Sequence, residues 1–289
     1  MIRCSKCGGR AIIHQRYSGM HLCRTHFEGD VNRKVRETLR MSGLFAQSAR
    51  VAVGLSGDAK SATLLCILKS LFFRRRDIEF TAIVIDEGIE GRRGLLAGAI
   101  SLAGRLEIPC IMKRLRDAPK TAAEEIALGR FGWSFHAAMK RDLLRRAALD
   151  AGADALATGE SLDDEAEKVF WSCLKGDIEG LVEIGQHKER EAGSGPLEIR
   201  PLRKVPVREI RLYARMNHID PKEPVSCFTE ADASRLEVRR MLNDFDSRHP
   251  GTKYSLLQCV ERVVELQQSR GCYGDEAEGR AKPLSEGIK

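Results

Sequence analysis

Four residues near the start of the chain are of types that hold metal. Cys4-x2-Cys7 is followed, after fifteen residues, by Cys23-x2-His26. Two-residue spacing lets both side chains of a pair face one ion. Two such pairs make a closed site of three thiolates and one imidazole, the pattern of structural zinc. Gly8-Gly9 permits the tight turn that a metal knuckle needs. The alternative is four unrelated residues.

A second group of residues suits phosphate. An apolar run, Val51-Ala52-Val53, leads into Gly54-Leu55-Ser56-Gly57-Asp58-Ala59-Lys60-Ser61 and then into an apolar stretch of helical length, Ser61 to Phe73. Small residues let backbone N–H groups approach phosphate oxygens, and the helix start adds partial positive charge. The run is not a Walker A loop, and it reads also as a plain strand-to-helix turn. Asp86 closes a further apolar run, and Asp163-Asp164 follow Gly159 at the end of another. Paired carboxylates there suit a polar site, or cap a helix.

These groups need a frame. Strands are expected at Val51–Val53, Glu79–Ile85, Pro109–Met112 and Ala153–Thr158, with helices at Asn32–Gly43, Ser61–Phe73, Gly94–Leu106, Ser134–Ala151 and Asp163–Leu174. The alternation predicts right-handed βαβ units around a parallel sheet, an α/β fold. Gln186–Pro196 reads as a loop. Pro206–Met216, Ser234–Phe245 and Thr252–Gln268 read as amphipathic helices. The expected organisation is a zinc module over 1–30, a nucleotide-binding domain over 31–200, a C-terminal helical region over 201–270 and a mobile tail over 271–289.

The hydrophobic share of 43% over 289 residues fills a sizeable core. No stretch approaches a membrane span, and the first residues lack the apolar run of a secretory signal, so the expectation is a cytoplasmic protein with no membrane partner. Net charge is +7, with a pI near 9.0. That suits a polyanionic partner or, equally, a solvated basic surface. Nine cysteines, several clustered, point to metal rather than disulfides.

The loop Ser56-Gly57-Asp58-Ala59-Lys60-Ser61 resembles the SGGxDS loop of PP-loop ATP pyrophosphatases. Ser56, Gly57 and Ser61 match, Asp58 stands at the second glycine, and Lys60 stands at the acidic residue. Val84-Ile85-Asp86-Glu87-Gly88-Ile89-Glu90-Gly91-Arg92 is similar to the VDEGIxGYR segment of the TtuA/NcsA-type tRNA 2-thiouridine synthetases. Ala157 to Ala166 (ATGESLDDEA) resembles their ATGHNLDDEA segment. Pro250 to Ser255 (PGTKYS) and the cysteine–histidine module also match. The likeness runs from about residue 1 to 257.

The resemblance implies a HUP-type parallel sheet with helices on both faces. It implies ATP, with magnesium, at Gly54, Ser56, Gly57, Lys60, Ser61, Asp86 and Gly159, with Lys140, Asp163 and Asp164 as catalytic candidates. Lys140 reads also as an ordinary helix lysine. The implied reaction is adenylation of a tRNA uridine carbonyl followed by sulfur transfer. The implied partners are tRNA, a ubiquitin-like or small-molecule sulfur donor, and a second copy in a homodimer. A family iron–sulfur cluster would fall on Trp133, His136 and Cys227, and one thiolate does not hold a cluster in the usual way, so a cluster is doubtful. His136 reads as a ligand or as an ordinary helix histidine. A second C-terminal zinc site is reduced to Cys272. The contrasting expectation is a degenerate relative that binds nucleotide or tRNA without thiolating it, and a zinc-stapled scaffold without nucleotide stands third.

Overall fold

The computed structural model describes residues 2–117, 135–185, 195–219 and 230–277. Its centre is a five-stranded, all-parallel sheet: β3 (Ala49–Gly54), β4 (Ile78–Asp86), β5 (Cys110–Arg114), β6 (Ala155–Ala157) and β7 (Leu197–Ile199), in the order β5-β4-β3-β6-β7. Before it lies a short antiparallel hairpin, β1 (Ile13–Gln15) and β2 (Met20–Leu22), which pairs Ile13 with Leu22. The helices are α1 (Arg24–Met41), α2 (Ala59–Leu71), α3 (Arg93–Arg105), α4 (Phe135–Asp150), α5 (Leu162–Lys175), α6 (Ile178–Gly185), α7 (Val207–Met216), α8 (Glu230–Arg248) and α9 (Thr252–Ala277).

The period-2 alternation of the strands sorts the core into two layers. Val51 and Val53, Ala82 and Val84, and Ala155 and Ala157 face one side. There they pack with α1, α2, α3 and α7 through Phe27, Val31, Leu64, Leu68, Ala99, Ile210 and Tyr213. Ala52, Ile83, Ile85 and Leu156 face the other side, against Leu143, Ala147 and Ala148 of α4. A satellite cluster, Val169, Ile184 and Val260, joins α5, α6 and α9.

The expected α/β class, the four expected strands and the described helices are present, with different ends. The first helix starts at Arg24 rather than Asn32, because Cys23 is its N-cap and its first turn carries His26. One helical turn is what brings the second ligand pair together. Strand β7 was not expected. Three residues after a Gly/Ser run carry too little pattern to mark a strand. The final helix continues to Ala277 rather than stopping at Gln268. Residues 271–277, expected in a mobile tail, are therefore helical. The rest of that tail and most of the 186–196 loop lie outside the described residues. The segment from 201, expected with the C-terminal helices, instead packs in the sheet core through Leu202, Val205, Ile210 and Tyr213.

Buried charge ties the hairpin, α1 and α7 together. Lys34 Nζ lies 2.9 Å from Asp30 Oδ2 and 3.2 Å from Glu209 Oε2, and it donates to the Tyr17 hydroxyl at 2.6 Å. Gln15 Nε2 donates to Asp30 at 3.0 Å and to Glu209 at 3.1 Å. Gln15 and Glu209 are fully buried, and burying them is tolerable only because each polar atom here has a partner. Burial alone would raise the Asp30 carboxyl, but the Lys34 ammonium, helped by Gln15 and Arg33, outweighs it and brings the value down to about 2. A depressed carboxylate contributes stability that is complete above its unfolded value near 4 and is lost as pH falls through about 2. Thermal unfolding of the parent and Asp30→Asn should therefore differ by on the order of 2 kcal/mol at pH 6, and the gap should close between about pH 4 and 2. A constant gap across that window would show that Asp30 is not the titrating group.

Candidate functional site

The sheet order places β3 beside β6 where the chain reverses its direction of winding. That is the switch point at which open α/β sheets bind ligands, beyond the C-terminal strand ends. A cavity of about 350 Å³ opens there. Gly54, Ser56, Asp58, Lys60 and Ser61 line it from the β3–α2 side, Thr158, Gly159, Glu160 and Asp164 from the β6–α5 side, and Lys140 and Arg141 from α4. A second cavity of about 210 Å³ shares Ser56, Asp58 and Lys140 and adds Asp86, Glu87 and Arg92.

The loop is held by its own side chains. Asp58 is the N-cap of α2, and its Oδ1 accepts from the Ser61 N–H and from the Ser61 hydroxyl, both at 2.9 Å. Ser61 Oγ also lies 2.9 Å from Ser56 Oγ and accepts from the Ser56 N–H at 3.1 Å. The Asp58 carboxylate thus folds back over the helix N-terminus as a cap. Gly57 has φ +81°, and a Cβ on it would lie 2.2 Å from the Leu95 carbonyl oxygen. Gly159 is confined less severely: a Cβ there would stand 3.0 Å from the Ser61 nitrogen.

Across the cleft, α5 opens with a capping box. The Asp164 N–H donates to Ser161 Oγ, while Asp164 Oδ2 accepts from the Ser161 N–H at 2.8 Å and from the Ser161 hydroxyl at 2.6 Å. Lys60 Nζ donates to the same oxygen at 2.7 Å. Burial opposes ionisation of Asp164, but the Lys60 ammonium and these donors hold its carboxyl well below the usual range. Burial likewise works against the Lys60 cation, and Asp164 and Asp58 outweigh it and raise the lysine. Glu160 is brought to about 2, since Lys168 and Arg200 overcome its burial.

Of the three residues expected to be catalytic, the structure brings Lys140 and Asp164 to the cleft. Lys140 Nζ donates to Glu87 Oε1 at 2.5 Å, beside Arg92 on the other Glu87 oxygen. Asp163 does not line either cavity. Its Oδ2 accepts from the Val207 N–H at 2.6 Å and its Oδ1 from Lys253 Nζ at 2.5 Å, so it ties α5 to α7 and α9. The expected nucleotide residues Gly54, Ser56, Lys60, Ser61 and Gly159 line the main cavity, and Asp86 lines the second. Gly57 supports the loop from below, against α3.

Most acids of the cleft are already committed to cations, which fits a protein-held magnesium ion poorly. That ion needs carboxylate oxygens free to join phosphate oxygens in an octahedron. Glu160 is paired with Lys168 at 2.6 Å, Glu198 with Arg141 at 2.6 Å, Glu87 with Lys140, and Asp164 with Lys60. Asp58 and Asp86 each have an oxygen bonded to a backbone N–H, of Ser61 and Gly88. Sequence reasoning missed Glu87, Arg92, Arg141, Glu160 and Lys168 as site residues. Glu87, Arg92 and Glu160 stand inside the segments that carried the resemblance and were readable there. Arg235, from α8, has no sequence signal that places it at the cleft.

Away from the residues that line the cleft, the donor atoms of Cys4, Cys7, Cys23 and His26 all lie within 4.8 Å of one another. Cys7 Sγ is 3.7 Å from Cys23 Sγ, and His26 Nδ1 is 3.3 Å from Cys23 Sγ and 3.6 Å from Cys4 Sγ. A tetrahedron with 2.3 Å metal–sulfur bonds has sulfur–sulfur edges of about 3.8 Å, so the four donors fit one ion. Burial raises the Cys4 thiol, but the backbone N–H groups of Cys23, Lys6 and Cys7 outweigh it and bring it to about 6.

Residues 3–28 match the family model described as the N-terminal LIM domain of the 2-thiouridine synthetase TtuA, and residues 27–243 match the PP-loop domain. The tRNA 2-thiolation protein NcsA of Haloferax volcanii is 33% identical, over 92% of this chain and 88% of its own. The tRNA-5-methyluridine(54) 2-sulfurtransferase of Pyrococcus horikoshii is 28% identical, over 89% and 81%. The solved U34-tRNA thiolase NcsA of Methanococcus maripaludis, with its [4Fe-4S] cluster, superposes with a TM-score of 0.80 at 30% identity, over 92% of this chain and 89% of that one. That cluster corrects the expectation drawn against iron and sulfur from thiolate number alone. The side chains of Trp133, His136 and Cys227, on which the expectation rested, lie outside the described residues, as does that of Cys272.

Two outcomes test the geometry. Gly57→Ala should lower stability by roughly 1–3 kcal/mol, from positive φ and the clash with Leu95. Gly159→Ala, whose Cβ meets backbone of the opposite loop, should cost less stability and weaken adenine nucleotide binding measured by calorimetry. Parent-like stability in the first and parent-like binding in the second would refute the packing described. Metal analysis should find about one tightly held ion per chain from the four-donor rule, and Cys4→Ser should lose it with a fall in Tm.

Proposed function

This chain belongs to the PP-loop family of tRNA 2-thiolation proteins, and we propose on that premise that it activates a tRNA uridine carbonyl with ATP and replaces the carbonyl oxygen by sulfur. The observation that carries this reading is the cavity at the β3–β6 switch point, lined from both sides by the loop of residues 56–61 and by Gly159, Glu160 and Asp164. It is large enough for a nucleotide and is edged by basic side chains.

In the proposed reaction the carbonyl oxygen attacks the α-phosphorus of ATP, and pyrophosphate leaves with its bonding pair. A sulfur nucleophile then adds to the activated carbon, and AMP departs with the former carbonyl oxygen. Adenylation is needed because oxide is too poor a leaving group from an amide-like carbonyl. Ser56 and the backbone that Gly57 permits contact phosphate, while Ser61, whose N–H and hydroxyl both donate to Asp58, holds the loop in shape for it. Lys60 and Lys140 donate to phosphate oxygens and stabilise the charge that develops on them. Asp164 positions Lys60, and Asp163 holds α5 in place. The sulfur donor is read as a ubiquitin-like protein or a small molecule, and a homodimer remains part of the proposal. Among the described residues no helix is long and apolar enough to cross a membrane.

The four-donor module is read as structural zinc, since three thiolates and one imidazole leave no coordination position open. Its donors flank the hairpin, on the turn before it and at the start of α1, and Cys4 packs in the core cluster that holds Leu22 and Phe27. The premise also brings a [4Fe-4S] cluster into consideration. At the positions that resemble the cluster ligands of the family, this chain offers one thiol, Cys227, and one imidazole, His136. The roles assigned above are those of this chain's own side chains at the nucleotide cleft, and no step is assigned to a cluster. Iron and sulfide analysis of anaerobically purified protein, with Cys227→Ala as control, tells whether one is bound.

With ATP, bulk tRNA and added sulfide as sulfur source, the protein should release AMP and pyrophosphate and leave thiouridine in hydrolysed tRNA. Lys140→Ala should lower the AMP rate roughly tenfold to a hundredfold. ATP binding without AMP release, with any tRNA fraction, would favour the degenerate relative.

A further inference from the structure

Lys60 is the residue at which this chain departs furthest from the loop it resembles, because a cation stands where an acid is expected. Its ammonium does not point to solvent. Nζ lies 2.7 Å from Asp164 Oδ2, bridging the two sides of the cleft, with the lysine side chain 28% and the aspartate 12% exposed. The main cavity is lined by both residues. We propose that the Lys60 ammonium supplies the positive charge that a divalent cation would otherwise bring to the protein side of the nucleotide site, so that adenine nucleotide binds without a magnesium ion held by this chain. The proposal rests on the nucleotide reading above.

Three observations converge on it. First, the carboxylate oxygen best placed to take a metal, Asp164 Oδ2, already accepts from Lys60 and from both the N–H and the hydroxyl of Ser161. A metal there would displace or directly oppose a fixed ammonium. Second, the other acids along the main cavity, Glu160 and Glu198, are held by Lys168 and Arg141. Asp58, the remaining acid of that cavity, accepts two hydrogen bonds from Ser61 on Oδ1. Magnesium demands near-ideal octahedral oxygen geometry, and three of the four acids of this cavity are already held by cations. Third, an ammonium has three donors. Lys60 can therefore keep Asp164 and still donate to a phosphate oxygen, whereas a carboxylate at this position would repel phosphate unless a metal intervened. The capped loop fits this as well: Asp58 adds a negative charge at the helix N-terminus, and Lys60, two residues on and lining the cleft, offsets it for an incoming anion.

Calorimetry of the whole, metal-loaded protein with a nonhydrolysable ATP analogue tests the proposal, in buffer freed of divalent ions by chelating resin and again with millimolar magnesium. The resin-treated buffer avoids a soluble chelator that would strip the cysteine–histidine site. The parent dissociation constant should change by less than about threefold between the two conditions. Lys60→Ala should weaken binding at least about tenfold without magnesium and regain part of the loss when magnesium is added, because Asp164 is then released. Lys60→Arg should stay near the parent in both conditions, which guards against a folding defect in the alanine variant. A parent that binds about tenfold more tightly with magnesium, or a Lys60→Ala variant equal to the parent without it, overturns the proposal and leaves the nucleotide site standing. Absence of binding by the parent in both conditions refutes the nucleotide reading and this proposal with it.

Discussion

Two stretches of backbone meet where β3 and β6 end, and that approach sets the rest of the molecule. The Ser61 nitrogen stands so near Gly159 that a Cβ would intrude at 3.0 Å, and the Gly57 backbone rests against Leu95 of α3. Only residues without a side chain let the loop, the start of α2 and the start of α5 come this close. The closeness is what allows a lysine on α2 to reach a carboxylate on α5 and close the cleft with a single ion pair. If these backbones were held an ångström or two farther apart, the cavity would lose one of its walls.

Charges away from water are consistently paired, and the pairs run outward from the cleft. Glu165, fully buried behind Asp164, receives Arg200 at 3.0 Å and lies near Arg203 and Lys168. Arg203 is itself almost fully buried and donates to the Ile184 carbonyl. Removing one member of such a set leaves an unpaired buried charge, which costs far more than the pair contributes. The second set, around Lys34 and Glu209, ties the hairpin and α1 to α7, which packs in the sheet core. The metal module is thereby part of the same folded unit as the cleft, although its donors lie on other elements.

The departures from the resembling loop look different once the contacts are in view. Asp58 does not present a bare charge to the cleft: it is the cap of α2, and aspartate is a strong N-cap residue. A charge swap between Asp58 and Lys60 is the simplest expectation from their spacing. In the structure the main partner of Lys60 is Asp164, 104 positions away, and Asp58 acts on it only through its field. Asp163 and Asp164, adjacent in sequence, part company for a geometric reason. Consecutive residues at a helix start point about 100° apart, so one faces the cleft and the other faces α7 and α9.

Much of this protein was legible in the amino-acid sequence because the signals are local. Alternating apolar strands, a Gly/Ser loop before an apolar helix and two metal-ligand pairs each fall within a few residues, where spacing maps directly onto geometry. So the α/β class, the metal module and the loop could be read without coordinates. The hairpin strands and β7 could not, since three residues carry no period. Nor could the pairings Lys60–Asp164, Lys140–Glu87, Asp163–Lys253 and Lys34–Glu209, because each joins residues far apart in the chain. Which carboxylate faces the cleft, and which cation faces it, depends on strand order and helix rotation. Those are properties of the packed core, and only the tertiary structure decides them.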